Sequence, residues 1–196
     1  MPAIAKAGAC MPGTDLDRVA EFLGLVVEPR KPLPAEVLIE RLTVVLATAT
    51  RLTGQFSVEH LADKLPNRDR TVLALANHIV EIAAGYLLVE TGHPFDAAVA
   101  GAIPNRELDP VDLATRSKAV RDRLGALRPA PAREVETLHG TSSRHRVLER
   151  CTWHAAQHAR QLAFMLERQG VEPDQPLTSA DLEGLPLPVA VWDDES

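Results

Sequence analysis

Cys151-Thr152-Trp153-His154-Ala155-Ala156-Gln157-His158-Ala159-Arg160-Gln161-Leu162 reads as the middle of a long helix carrying two histidines four residues apart. That spacing stacks both rings on one helical face, a turn apart, where they can grip a single metal ion. Cys151 precedes His154 by three residues and shares the face, either as a ligand or thiol or as a small buried hydrophobe. Trp153 and Gln157 lie beside the histidine face. In helical HExxH metalloproteases a Glu follows the first His as general base; the residue here is Ala155, which argues against a peptidase.

Outward from this stretch, Thr141-Ser142-Ser143 offers N-caps for the helix and Gly170, after Gln169, its stop. A second histidine-bearing helix is expected from Asp69 or Arg70 to Val89, with Thr71, Leu75, His78, Ile82 and Gly85 on one face and Gly92 and Pro94 closing it. Leu38, Leu42, Val45, Ala49, Leu52 and Phe56 follow the four-three spacing of a core-facing helix that starts at Ala35 and ends near Gly54. Asp109-Pro110-Val111-Asp112 supplies an N-cap, a first-turn proline and an acid for another helix reaching Leu127, ended by Pro129 and Pro131. A short helical turn is expected within residues 57–64, before a break at 65–69. No stretch reads as a strand. The fold class is therefore all-α, a four-helix bundle.

Three regions follow. Residues 1–34 form an N-terminal extension with a short helix from Asp15 to Leu23, capped by Thr14 and Asp17 and stopped by Gly24; its first 13 residues are expected to be poorly ordered and Val26–Pro34 to be an extended linker. Residues 35–170 form the bundle, with a loop from Thr91 to Leu108. Residues 171–196 are Pro-rich and irregular but apolar enough, through Leu182, Leu185, Leu187 and Trp192, to pack across the bundle as a strap.

Composition narrows the function. Aromatics make up 4% of the 196 residues while hydrophobics make up 45%, which suits a helical core. A formal charge of −6 argues against a nucleic-acid footprint, and Arg144, Arg146, Arg150 and Arg160 read as solvated residues interleaved with Glu149. Cys10 and Cys151 are too few for a disulfide framework. The N-terminus lacks the apolar run of a signal peptide and no stretch reaches membrane-spanning length, so a soluble cytoplasmic protein with no membrane partner is expected.

If a bundle places His78 against the face bearing His154 and His158, it would complete three imidazole ligands, leaving at least one position for water or substrate. Imidazole suits Zn, Ni, Fe or Cu. Glu81, one turn beyond His78, is either a general base or orienting group or a solvated acid. His60, His93, His139 and His145 have no partner at ligand spacing. Spacing alone leaves a metal site and three satisfied core histidines as open alternatives.

Leu75-Ala76-Asn77-His78-Ile79-Val80-Glu81, followed by the Trp153 to Leu162 stretch, resembles the DinB/YfiT-like superfamily across residues 35–170. The resemblance implies an up-up-down-down bundle with a His78, His154 and His158 triad on a divalent metal, commonly Zn or Ni, with Fe or Mn as further candidates. It also implies a homodimer and, in several members, a transferase or isomerase using a low-molecular-weight thiol. The chain lacks the Cys-x-x-Cys module that can precede the bundle in one subgroup, which puts a self-contained redox role in doubt. Two functions are consistent with this: a metal-dependent enzyme activating a small-molecule thiol or water, and a non-catalytic metal- or small-molecule-binding stress protein.

Overall fold

The computed structural model describes residues 3–12, 16–26, 31–66, 68–97, 99, 109–128, 133–138 and 140–192. The expectations for Thr14, Asp15, Pro129, Pro131 and His139, and parts of those for Val26–Pro34, 65–69 and the loop from Thr91 to Leu108, lie outside these residues. The chain divides into two compact units, residues 1–32 and 33–196. The tail of residues 171–196 therefore belongs to the same unit as the long helices.

In the first unit, strands were not expected, yet Ala3–Lys6 (β1) and Ala9–Pro12 (β2) form an antiparallel hairpin in the register Ala5↔Cys10 and Lys6↔Ala9. Its two turn residues, Ala7 and Gly8, have φ of 50° and 81°. Positive φ at both positions gives a turn whose twist matches that of the flanking strands, and Gly8 adopts it without a Cβ clash. The short helix α1 spans Leu16–Leu23 and stops at Gly24, φ 70°. The Lys6 ammonium donates to the Leu23 carbonyl at that end, where a cation suits the helix dipole.

The second unit is mostly helical. Helix α2 (Ala35–Thr53) buries the whole expected stripe from Leu38 to Phe56, the last residue lying just past its end. The one-turn α3 (Val58–Leu61) is capped by the Ser57 side chain. Helix α4 (Val72–Glu90) begins two or three residues later than expected, where the Thr71 hydroxyl accepts from the Ala74 N–H. Against expectation, α4 is long and apolar enough to cross a membrane; 78% of that stretch is buried, as befits a helix surrounded by others in a core. Helix α5 (Pro110–Ala126) is capped by Asp109, whose carboxylate accepts from the Val111 N–H.

Glu134–Thr137 (β3) and Gly140–Ser143 (β4) make a second unexpected hairpin that leads directly into α6 (Arg144–Arg168). Phe95 is buried beside it, its N–H donating to Glu136 and its carbonyl accepting from Leu138. The stretch after α4 is thereby fastened to the start of α6.

Helices α2 and α4 each pack against both α5 and α6. Polar ties add register to this apolar contact: Thr50 Oγ1 lies 2.6 Å from Ser117 Oγ between α2 and α5. Between α4 and α6, the Arg144 guanidinium donates to the Glu90 carboxylate at 3.1 Å, and the Tyr86 hydroxyl, one turn back on α4, donates to the same carboxylate. Arg144 is buried, so the expected surface cluster of arginines keeps only Arg146 exposed.

The tail is less irregular than expected. Ser179–Leu182 form a helical turn (α7) whose Thr178 and Asp181 complete a capping box. Arg51 donates to the carbonyls of Asp174 and Gln175, at 2.9 and 2.5 Å, and Leu185 is buried.

Candidate metal centre

His78 comes from the middle of α4, and His154 and His158 come from the middle of α6. The two helices run antiparallel, with the end of α4 at Glu90 beside the start of α6 at Arg144, and this brings their central turns together. One potential ligand atom from each of the three histidines lies within 4.8 Å of the others. The ring centroids are 5.4 Å apart for His78 and His154, 5.1 Å for His78 and His158, and 4.6 Å for His154 and His158. None of the three residues is exposed.

His154 Nε2 and His158 Nε2 face each other at 3.0 Å. At most one proton fits between two ring nitrogens so placed. Two nitrogens each about 2.0–2.1 Å from one ion stand about 2.9 Å apart at a right angle and about 3.4 Å apart at the tetrahedral angle, so the observed spacing suits a shared ion as well as a hydrogen bond. The donor set of three imidazoles fits a borderline divalent metal such as Zn or Ni.

The electrostatics favour the neutral form of the two α6 rings. Burial holds His154 well below the usual histidine range, and His158, His78, Arg150 and Arg70 push in the same direction. Burial likewise lowers His158 to about 4; its bond to Gln161 opposes the shift, while Arg70 and Arg68 add to it. Neutral imidazole is the form that ligates metals.

The surroundings resolve several of the alternatives. Cys151 is completely buried and its thiol is pushed up to about 12 by that burial, partly offset by Arg150. It fills the core as a protonated side chain and is not part of the converging group. Glu81 is mostly buried rather than a solvated acid: Arg116 of α5 pairs with it at 2.5 Å, and it is not part of the converging group. Trp153 packs 5.7 Å from His154, ring to ring, with the Arg150 guanidinium 6.0 Å from its ring.

Gln157, Arg160 and Gln161 were not singled out as site residues, yet all three reach toward the site or the tail. Gln161 Oε1 lies 2.7 Å from His158 Nδ1, and Gln161 Nε2 donates to the Val191 carbonyl at 3.2 Å. Gln157 donates to the same carbonyl at 2.7 Å, and Arg160 donates to Gln157 Oε1 and to the carbonyls of Pro188 and Val189. The available signal was spacing: Gln161 stands three residues after His158, where side chains on one helix meet.

Comparison with protein-family models, with curated proteins and with solved structures finds no match to this chain.

Proposed function

We propose that His78, His154 and His158 hold one divalent metal ion, Zn or Ni in the first instance, and that the protein is a metal-dependent transferase or isomerase acting on a small molecule through a low-molecular-weight thiol or water. The observation that carries this reading is the convergence of three imidazoles from two helices, with two of their nitrogens 3.0 Å apart. A bound ion of this kind supplies Lewis acidity, which lowers the pKa of a thiol or water so that it attacks at neutral pH. The chain's own residues bind and orient. The guanidiniums of Arg68, Arg70 and Arg150 act on the rings with positive potential, which favours an anion such as a thiolate in the open position.

Cys151 is buried and Glu81 is engaged by Arg116, so neither is a free nucleophile or base. This supports a nucleophile brought by the substrate. Taken with the sequence resemblance, the reading includes a DinB-like four-helix bundle built from α2, α4, α5 and α6, a homodimer and a cytoplasmic setting.

The test is elemental analysis of protein purified without a histidine tag, alongside His78→Ala and His154→Ala. One metal per chain in the parent and loss in both variants is expected; full occupancy in both variants rules the site out. Turnover with low-molecular-weight thiols and electrophiles then separates an enzyme from a binding protein, for which tight binding without product is the outcome.

A further inference from the structure

Gln161 sits between the histidine pair and the C-terminal segment, and its two amide atoms are committed in opposite directions. The Val191 carbonyl can only accept a hydrogen bond, so the Gln161 NH2 group must face it. The amide oxygen then faces His158 Nδ1 at 2.7 Å, and an amide oxygen can only accept. The proton must therefore be on Nδ1. With Nδ1 protonated, a neutral His158 ring has its lone pair on Nε2, the atom that faces His154 Nε2 at 3.0 Å.

The carbonyl that orients Gln161 is itself fixed. Gln157 donates to Val191 at 2.7 Å and to Ala190 at 3.3 Å. Arg160 holds Gln157 by donating to its Oε1 at 2.8 Å, which turns the Gln157 NH2 group toward Val191. Arg160 also holds Pro188 and Val189 at 2.8 and 2.9 Å. Trp192 packs against Phe164 of α6, their rings 6.2 Å apart. The last described residues are thus clamped to the same helix that carries the histidine pair.

We infer that Gln161 is a positioning residue for the metal centre: held by the Val191 carbonyl, it fixes His158 as the Nδ1–H tautomer and presents Nε2 to the ion. The inference rests on the three-histidine reading, and it adds a role for the C-terminal segment, which orients a ligand without touching the site. A ring with no such partner divides between its two tautomers, and the one protonated on Nε2 cannot ligate through that atom. Removing a hydrogen-bond partner of this kind from a metal-bound histidine typically lowers metal affinity about 10- to 100-fold.

Two variants separate positioning from simple anchoring of the tail. Gln161→Leu removes both bonds. Gln161→Glu keeps an acceptor for His158 Nδ1–H but has no N–H to give Val191. Nitrogen-15 spectra of the histidine rings in metal-free protein at neutral pH should show His158 protonated on Nδ1 in the parent and in Gln161→Glu, and partly on Nε2 in Gln161→Leu. Competition titrations with zinc(II) and cobalt(II) should show Gln161→Leu weakened about 10- to 100-fold and Gln161→Glu within about threefold of the parent.

If Gln161 serves only to anchor the tail, both variants lower the melting temperature alike while tautomer and affinity stay constant, and positioning is overturned. A parent protein with His158 protonated on Nε2 overturns it directly. A parent that binds neither ion overturns the metal reading together with the ligand role assigned to Gln161. Intact parental binding with an unweakened Gln161→Leu overturns positioning alone.

Discussion

Glu90→Ala removes the acceptor of two buried donors in one step. Tyr86 and Arg144 are 3% and 7% exposed, and both donate to the Glu90 carboxylate. Glu90 ends α4 and Arg144 begins α6, so each charge sits at the helix end whose dipole disfavours it. The pair offsets both penalties; once separated, Arg144 keeps its own. Breaking a buried ion pair from one side costs about 3–5 kcal/mol, and orphaning a buried hydroxyl costs about 1–3 kcal/mol. The two losses share one carboxylate and so are not additive, which sets the expected destabilisation of Glu90→Ala at about 3–5 kcal/mol. Tyr86→Phe, which leaves the ion pair intact, should cost about 1 kcal/mol. Urea unfolding followed by circular dichroism should show a lower midpoint with an unchanged slope. His78 lies twelve residues from Glu90 along α4, about 18 Å at the helical rise, so metal affinity of the folded protein should hold. A loss below about 1 kcal/mol in Glu90→Ala is what an exposed pair would give and would refute the buried-network reasoning.

Gly85→Ala places a Cβ on top of the Val99 carbonyl oxygen, so it should destabilise by about 1–3 kcal/mol despite the better helix propensity of alanine; a raised melting temperature would contradict that close approach. In the native protein one thiol, exposed Cys10, should react with a disulfide reagent, and Cys151 should react only after unfolding; two fast thiols in native buffer would show that Cys151 is accessible. Chelator-treated protein should lose stability on acidification. His158 titrates near 6.5 when unfolded and about 4 when folded, so the unfolded chain takes up the proton first, and stability present above about pH 6.5 drains away toward pH 4, by up to about 3 kcal/mol. His154 shifts in the same direction, and a melting temperature flat between about pH 7 and pH 5 would count against neutral buried rings.

Helix-level features were readable because they are local. The four-three stripe of α2 names residues that are all buried, and Asp109 and Ser143 cap α5 and α6 as their side-chain chemistry predicts. His78, His154 and His158 do converge, but spacing alone leaves that open: a histidine on an apolar helix face does not say which element it meets, and the expectation leans on the family resemblance. The hairpins were not legible. Their strands are four residues long, and the first turns through Ala7-Gly8, a weaker signal than Asn-Gly. Burial of Arg144 depends on a carboxylate 54 residues earlier, and nothing adjacent to it in the chain reveals that partner. The roles of Gln157, Arg160 and Gln161 were hidden for a different reason: their partners in the tail are backbone carbonyls, which every residue carries.

His78 gives the sharpest test of the three-histidine centre, because it is the only proposed ligand from α4 and nothing in the spacing of the α6 pair requires it. Titration of tag-free, chelator-treated protein with cobalt(II), followed by its visible absorption, should saturate at one ion per chain in the parent. His78→Ala should bind at least about tenfold more weakly with an altered spectrum, since an inner ligand should matter no less than the outer-shell partners whose loss costs about that much. Parental affinity and an unchanged spectrum in His78→Ala would show that the histidines of α6 bind without it and that the two helices do not share a metal.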